Sequence, residues 1–122
     1  MSNYWKEQTL QVNDELLVFC KENVTLVIPA LNEDKMIAAI IQEGSKYVAE
    51  VIVIDGHSQD QTRKISEENG AKVFLDNKKG KGDAIRVGID RASKEVIVFI
   101  DADMSHDPAD IPRLVHPICW VM

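Results

Sequence analysis

EVIVFIDAD, residues 95–103, is the stretch that decides how this chain is read. Val96, Ile97, Val98, Phe99 and Ile100 follow one another without polar alternation, the pattern of a strand buried on both faces of a parallel sheet. Two carboxylates, one residue apart, come directly after it. In extended backbone Asp101 and Asp103 point the same way, so both can approach one hard cation through oxygen. The bland reading of an isolated D-x-D is a polar turn, and its position at the end of a buried strand favours the first reading.

Working outward, three further strands are expected. EVIVI (50–54) is a second continuous apolar run and ends at Asp55-Gly56. VTLVI (24–28) is stopped by Pro29, and KVFL (72–75) is shorter. Helical patterns fill the gaps. Asn32 is expected to cap a helix with Glu33 and Asp34 in its first turn and Met36, Ile37, Ile40 and Ile41 on one face. A second helix is expected over about residues 60–69 with Gly70 as its stop. A third is expected over about residues 82–92, with Ile85, Gly88, Ile89 and Ala92 facing the sheet. Residues 16–20 read as a short helix or an edge strand. Strands alternating with helices through short connections predict a parallel, doubly wound sheet. Ligands of such folds bind beyond the carboxyl ends of the strands. Residues 29–33, 55–62, 76–82 and 101–107 are therefore expected to converge on one edge.

The 122 residues allow one domain at most, and 45% hydrophobic with 28% charged residues is an ordinary globular balance. The net charge of −6 argues against nucleic acid as a partner. Cys20 and Cys119 form no disulfide framework or metal-ligand spacing, which points to a reducing, cytoplasmic setting. The first residues do not read as a signal peptide, and no apolar run approaches the roughly 18 residues of a membrane span. G-x-x-x-x-G-K-[ST] and G-x-S-x-G are absent, and Gly80-Lys81-Gly82 does not continue at the dinucleotide-binding spacing.

Several polar residues have two readings. Asp55 can accept from a base N–H or a ribose hydroxyl. Ser58 and Asp60 read better as caps of the next helix. His57 can touch a ligand or be satisfied by backbone. Lys81, in the turn Lys79-Gly80-Lys81-Gly82, can bring an ammonium to phosphate or lie solvated. His106 reads as structural rather than as a metal ligand.

Four segments in order, VTLVIPALNE (24–33), VIVIDGHSQDQT (51–62), NKKGKGDAIRVGI (77–89) and EVIVFIDADMSHDP (95–108), resemble the N-terminal half of a family 2 glycosyltransferase of the GT-A fold. The similarity is greatest to the dolichyl-phosphate mannose synthase group. It implies an α/β fold: a three-layer α/β/α arrangement with a mostly parallel, Rossmann-like sheet. It also implies a nucleoside pocket at Pro29, Ala30 and Glu33 and a base contact from Asp55. Ribose, diphosphate and a divalent metal, Mg²⁺ or Mn²⁺, would be held by Asp101, Ala102 and Asp103. Ser105 stands where relatives often place a further metal ligand, and is a weaker one. The familiar DDGSxDxT reads DGHSQDQT here, with Gly56 for the second aspartate. The implied donor is a nucleoside diphosphate sugar, GDP-mannose or a UDP-sugar. The implied reaction is inverting transfer to a lipid phosphate, such as a polyprenyl phosphate, or to a saccharide. The site would then lie in the cytoplasm or at the cytoplasmic face of a membrane.

The expected organisation is an extension over 1–23, a nucleotide-sugar-binding half-domain over 24–115 and a tail over 116–122. Family catalytic domains are about twice as long, so the acceptor site and any general base are expected elsewhere. Two alternatives stand beside this reading. One is a non-catalytic nucleotide-binding or self-associating chain, a homodimer through an open sheet edge. The other is a phosphohydrolase using the D-x-D-x-S of residues 101–105, a motif that normally closes a first strand rather than a fourth.

Overall fold

The computed structural model describes residues 14–121, with side chains described through residue 117. Tyr4 and Trp5, which on the sequence alone read either as covering part of the core or as exposed, lie outside the described residues. Four strands, β1 (Val24–Ala30), β2 (Glu50–Asp55), β3 (Lys72–Leu75) and β4 (Val96–Phe99), form one parallel sheet in the order β3-β2-β1-β4. The helices are α1 (Asp14–Asn23), α2 (Ile37–Gly44), α3 (Thr62–Glu68), α4 (Lys81–Arg91) and α5 (Ile111–Val121), the last entered through a short 3-10 turn at Pro108–Asp110.

Alternate residues of β1 divide the core. Val24, Leu26, Ile28 and Ala30 face a layer holding Leu16 and Cys20 of α1, Ile37, Ile40 and Ile41 of α2, Ile65 of α3, and Ile111 and Val115 of α5. Val27 faces the other way, with Ile52 and Ile54 of β2, against Ala84 and Val87 of α4. The expected three layers are present. Residues 16–20 belong to a helix, not an edge strand, because Leu16 and Cys20 stand four apart and are both buried. Residues 116–121, expected as a tail, continue α5 despite Pro117 within it.

Three expectations are corrected. β1 is not stopped by Pro29. Its even residues bond towards β2 (Ala30 O accepts from Gly56 N at 2.8 Å) and its odd residues towards β4 (Val27 O accepts from Ile100 N at 3.1 Å). The proline therefore lacks its donor on the β4 side, beyond the Val27–Phe99 pair where that ladder ends. Asn32 does not cap α2, which begins at Ile37. The stripe on α4 is Ala84, Val87 and Gly88, joined by Ala92 just beyond the helix as expected, while Ile89 is exposed. Gly88 decides this: a Cβ there would sit 2.6 Å from Val27 Cγ1, so the helix backbone lies directly on β1.

Candidate nucleotide-binding site

The four strands end on one edge, and a cleft of about 580 Å³ runs across it. Its walls follow the strand order. Asp76 and Lys78 come from the end of β3, Gly56 and His57 from β2, Pro29, Ala30 and Leu31 from β1, and Asp101 from β4. Gly80, Lys81 and Ala84, at the start of α4, complete it.

The β1 and β2 walls are tied together. Asn32 N–H donates to Ser58 Oγ (2.8 Å), and Gln59 N–H to Asn32 Oδ1 (2.9 Å). Glu33 N–H donates to Thr62 Oγ1 (2.9 Å), and Asp34 N–H to Asp60 Oδ2 (3.2 Å). Gln61 N–H donates to Asp34 Oδ2 (3.4 Å). The S-x-D-x-T spacing of Ser58, Asp60 and Thr62 thus serves the backbone, but not as expected: Ser58 bonds across to Asn32 rather than capping α3, whose cap is Gln61 without a side-chain bond, and only Asp60 reaches the start of that helix, accepting from Thr62 N–H (2.9 Å). Burial works against charge on Asp60, but hydrogen bonds from Thr62 and Asp34 outweigh it and hold its carboxyl below the ordinary value.

Asp55 belongs to this scaffold. It is fully buried. Its Oδ1 accepts from Ser58 Oγ–H, and its Oδ2 from Ser58 N–H at 2.8 Å, with Arg63 Nε 3.5 Å from Oδ2. It does not line the cleft.

On the β3 side, Asp83 organises the loop that the glycines punctuate. Asn77 donates to it through Nδ2 (3.0 Å) and its backbone N–H (2.6 Å), and these bonds hold its carboxyl below the usual range. Gly80, with φ 90°, turns the chain into α4 and sets Lys81 at its start. Lys81 Nζ reaches across to Asp101, 3.1 Å from Oδ1 and 3.2 Å from Oδ2. His57 Nε2 lies 2.8 Å from Asp76 O, so this nitrogen carries the hydrogen and donates. His57 is thus satisfied by backbone, one of its two readings, and it also lines the cleft.

Of the residues singled out from the sequence, Pro29, Ala30, Lys81 and Asp101 meet in the cleft. Glu33 contributes backbone bonds to the tied loops, its carbonyl accepting from Met36 and Ile37. Ala102 is buried in the core. Asp103 and Ser105 are exposed beyond the cleft end, and Ser105 N–H donates to Asp103 Oδ1 (3.0 Å). Hydrogen bonds from the Ser105 side chain and backbone hold the Asp103 carboxyl below its ordinary value. Sequence reasoning missed Asp76 and Asp83. An acid in the first turn of a helix that follows a glycine-punctuated loop was the available signal for Asp83; Asp76 offered none beyond its place after a strand.

Donor chemistry decides whether a divalent cation fits. Asp101 at the cleft end and Asp103 one residue beyond Ala102 offer hard carboxylate oxygens, and the described residues include no third acid or histidine grouped with them. One or two carboxylates, with phosphate oxygens and water for the rest, is the usual set for Mg²⁺ on a nucleotide. The residues fit that arrangement.

Comparison with known proteins shows the family. A protein of Mycobacterium tuberculosis described as an uncharacterized glycosyltransferase is 36% identical over 93 residues, 75% of this chain and 42% of the relative. Glycosyltransferase AglJ of Haloferax volcanii is 32% identical over 97 residues, 78% of this chain and 32% of that protein. An undecaprenyl-phosphate 4-deoxy-4-formamido-L-arabinose transferase of Pseudomonas fluorescens is 29% identical over 105 residues, 75% of this chain and 31% of that one. Among solved structures, glucosyl-3-phosphoglycerate synthase from M. tuberculosis, in complex with Mn²⁺, UDP and glucosyl-3-phosphoglycerate, superposes with a TM-score of 0.74 at 31% identity, covering 85% of this chain and 42% of that chain. The chain thus spans less than half the length of these relatives. Residues 25–120 match the model of glycosyl transferase family 2. With a parallel sheet of GT-A type and this match over most of its length, the chain belongs to glycosyl transferase family 2.

Proposed function

We propose that this chain binds the nucleoside diphosphate of a sugar donor, as the donor half of a glycosyltransferase that moves the sugar to an acceptor oxygen with inversion. The observation carrying this is the cleft across all four strand ends, with Lys81 and Asp101 opposed at its β4 end. The diphosphate lies at that end, and the nucleoside runs from β1, against Pro29 and Ala30, towards β2 and β3. Asp101 and Asp103 hold Mg²⁺ or Mn²⁺ there, which when bound supplies positive charge to the departing diphosphate. The Lys81 ammonium adds its own charge at the same place and exchanges Asp101 for a phosphate oxygen when the donor enters. Glu33, Asp55, Ala102 and Ser105 act by holding these walls.

In the transfer, the bond from the anomeric carbon to the diphosphate breaks as the acceptor oxygen bonds to that carbon from the opposite side. The acceptor site and any general base are proposed for the length that the relatives have beyond the match. A polyprenyl phosphate acceptor is supported by the similarity to the undecaprenyl-phosphate transferase, and a uridine donor by the UDP of the solved synthase. A phosphate acceptor brings an oxygen already ionised near neutral pH, so a protein base matters less. No helix among the described residues is long and apolar enough to cross a membrane. A second reading rests on β4, an edge strand whose Ile97, Val98 and Phe99 are only half-buried: a homodimer through this edge, for which light scattering is the check.

The test is thermal unfolding with nucleotide. UDP or GDP with Mn²⁺ at millimolar concentration is expected to raise Tm. Asp103→Ala is expected to remove most of that shift, whereas Asp60→Ala lowers Tm of the free protein and keeps the shift. A folded wild type that shows no shift, or the reverse order of the two variants, overturns the proposal.

A further inference from the structure

We infer that Asp76 is the residue that selects the base, by accepting a ring N–H over the floor left open by Gly56; this rests on the donor-nucleotide reading of the cleft. The strand order gives the cleft a direction. Asp101 stands at the end of β4 and Asp76 at the end of β3, three inter-strand spacings away, about 14 Å across the sheet edge. That matches the length of a nucleoside diphosphate. With the diphosphate at Asp101 and Lys81, the base arrives at Asp76.

Asp76 is built for such a contact. Its side chain is 12% exposed and lines the cleft. Oδ1 is occupied, accepting from Lys78 N–H (3.0 Å) and lying 3.4 Å from His57 Nε2. Oδ2 faces the floor: a Cβ on Gly56 would lie 3.5 Å from it and 3.5 Å from Leu31 Cβ. The glycine therefore leaves a slot bounded by a carboxylate oxygen on one side and an apolar wall on the other, the surroundings of a planar ring with an N–H edge. Asp55, the acid expected for this task, has both oxygens engaged within the scaffold.

A carboxylate oxygen is an acceptor only. Uracil (N3–H) and guanine (N1–H) offer it a ring donor. Cytosine and adenine set a ring lone pair at the corresponding edge, which repels it. The chemical class selected is thus a base with a ring N–H.

Calorimetric titration of the Mn²⁺ complexes of UDP, GDP, CDP, ADP and inorganic pyrophosphate tests this. In the wild type the tighter of UDP and GDP is expected to exceed both CDP and ADP at least tenfold. Asp76→Asn, whose amide donates as well as accepts, is expected to bring that ratio within about threefold and leave pyrophosphate affinity unchanged. Gly56→Ala, which meets only ordinary contacts and needs no left-handed backbone, is expected to weaken every nucleotide and spare pyrophosphate. A wild type without base preference, a preference that survives Asp76→Asn, or a Gly56→Ala that binds nucleotides normally overturns the inference and leaves donor binding standing. A folded wild type that binds neither nucleotides nor pyrophosphate overturns the donor-nucleotide reading itself.

Discussion

Asp55 is fully buried and accepts from the Ser58 hydroxyl and backbone, with Arg63 Nε 3.5 Å from Oδ2. An asparagine in its place keeps the shape but turns one acceptor into a donor, facing a donor of Ser58. Asp55→Asn is therefore expected to cost about 1–3 kcal/mol, the usual range for a buried donor left unsatisfied. A denaturant titration with an unchanged m-value checks it. Asp103→Ala in the same titration should be nearly neutral, because Asp103 is exposed. The sequence shows an acid soon after a continuous apolar run in both cases. It does not show which acid turns inward, because that depends on strand parity: Val51, Val53 and Asp55 share one face, and the strand continues one residue beyond the apolar run. Asp76 was illegible for a related reason. Its orientation comes from a turn with Lys78 at φ 60°, and nothing in the composition of the loop announces that.

At the scale of elements, α4 shows what periodicity settles and what it leaves open. Gly88 lies on both the expected stripe and the observed one, and residues 84 and 87 are as well spaced from it as 85 and 89. Close contact chooses between them, since only one rotation lets Gly88 rest against Val27. Gly88→Ala exchanges a poor helix former for the best one, a gain of about 1 kcal/mol. It also drives a methyl group to 2.6 Å from Val27 Cγ1, and overpacking of this kind costs about 1–3 kcal/mol. A net loss is expected, and urea melts should show it recovered in part by adding Val27→Ala. For α2 the apolar face was legible, with Ile37, Ile40 and Ile41 all buried. Its start was not: Asn32 has φ 54° and bonds across to Gln59, a partner 27 residues away that local capping rules cannot see.

Across the whole molecule, the two ends of the sheet have different tasks. The end opposite the cleft is tied by Glu50. Thr25 Oγ1 (2.6 Å), Ser93 N–H (2.7 Å) and Ser93 Oγ (2.8 Å) donate to its Oε1, and Lys72 Nζ lies 3.1 Å from Oε2. These contacts join β1, β2, β3 and the entry to β4. Burial alone would raise the Glu50 pKa, but the hydrogen bonds prevail and bring it from 4.5 to about 2. A depressed folded-state pKa gives stability that is complete above about pH 4.5 and lost as pH falls towards 2. At about 1.4 kcal/mol per unit, the contribution is on the order of 3 kcal/mol. Glu50→Gln is expected to lose it at neutral pH and to flatten the acid limb of a stability-against-pH curve over that window. From the sequence Glu50 was only the first residue of a strand, since its partners come from three other segments. The parallel sheet and the convergence of four strand ends were legible, because continuous apolar runs alternating with helices leave few topologies.

Each strand is followed by a non-glycine residue in left-handed backbone: Asn32 after β1, His57 after β2, Lys78 after β3 and Met104 after β4. Asparagine adopts that conformation readily, whereas the other three resist it by about 1 kcal/mol or more apiece. The ligand edge is thus a set of loaded springs latched by the side chains beneath it. Ligand recognition is therefore expected to be lost on warming before the sheet unfolds, which nucleotide binding and far-UV circular dichroism followed over the same temperature range would show.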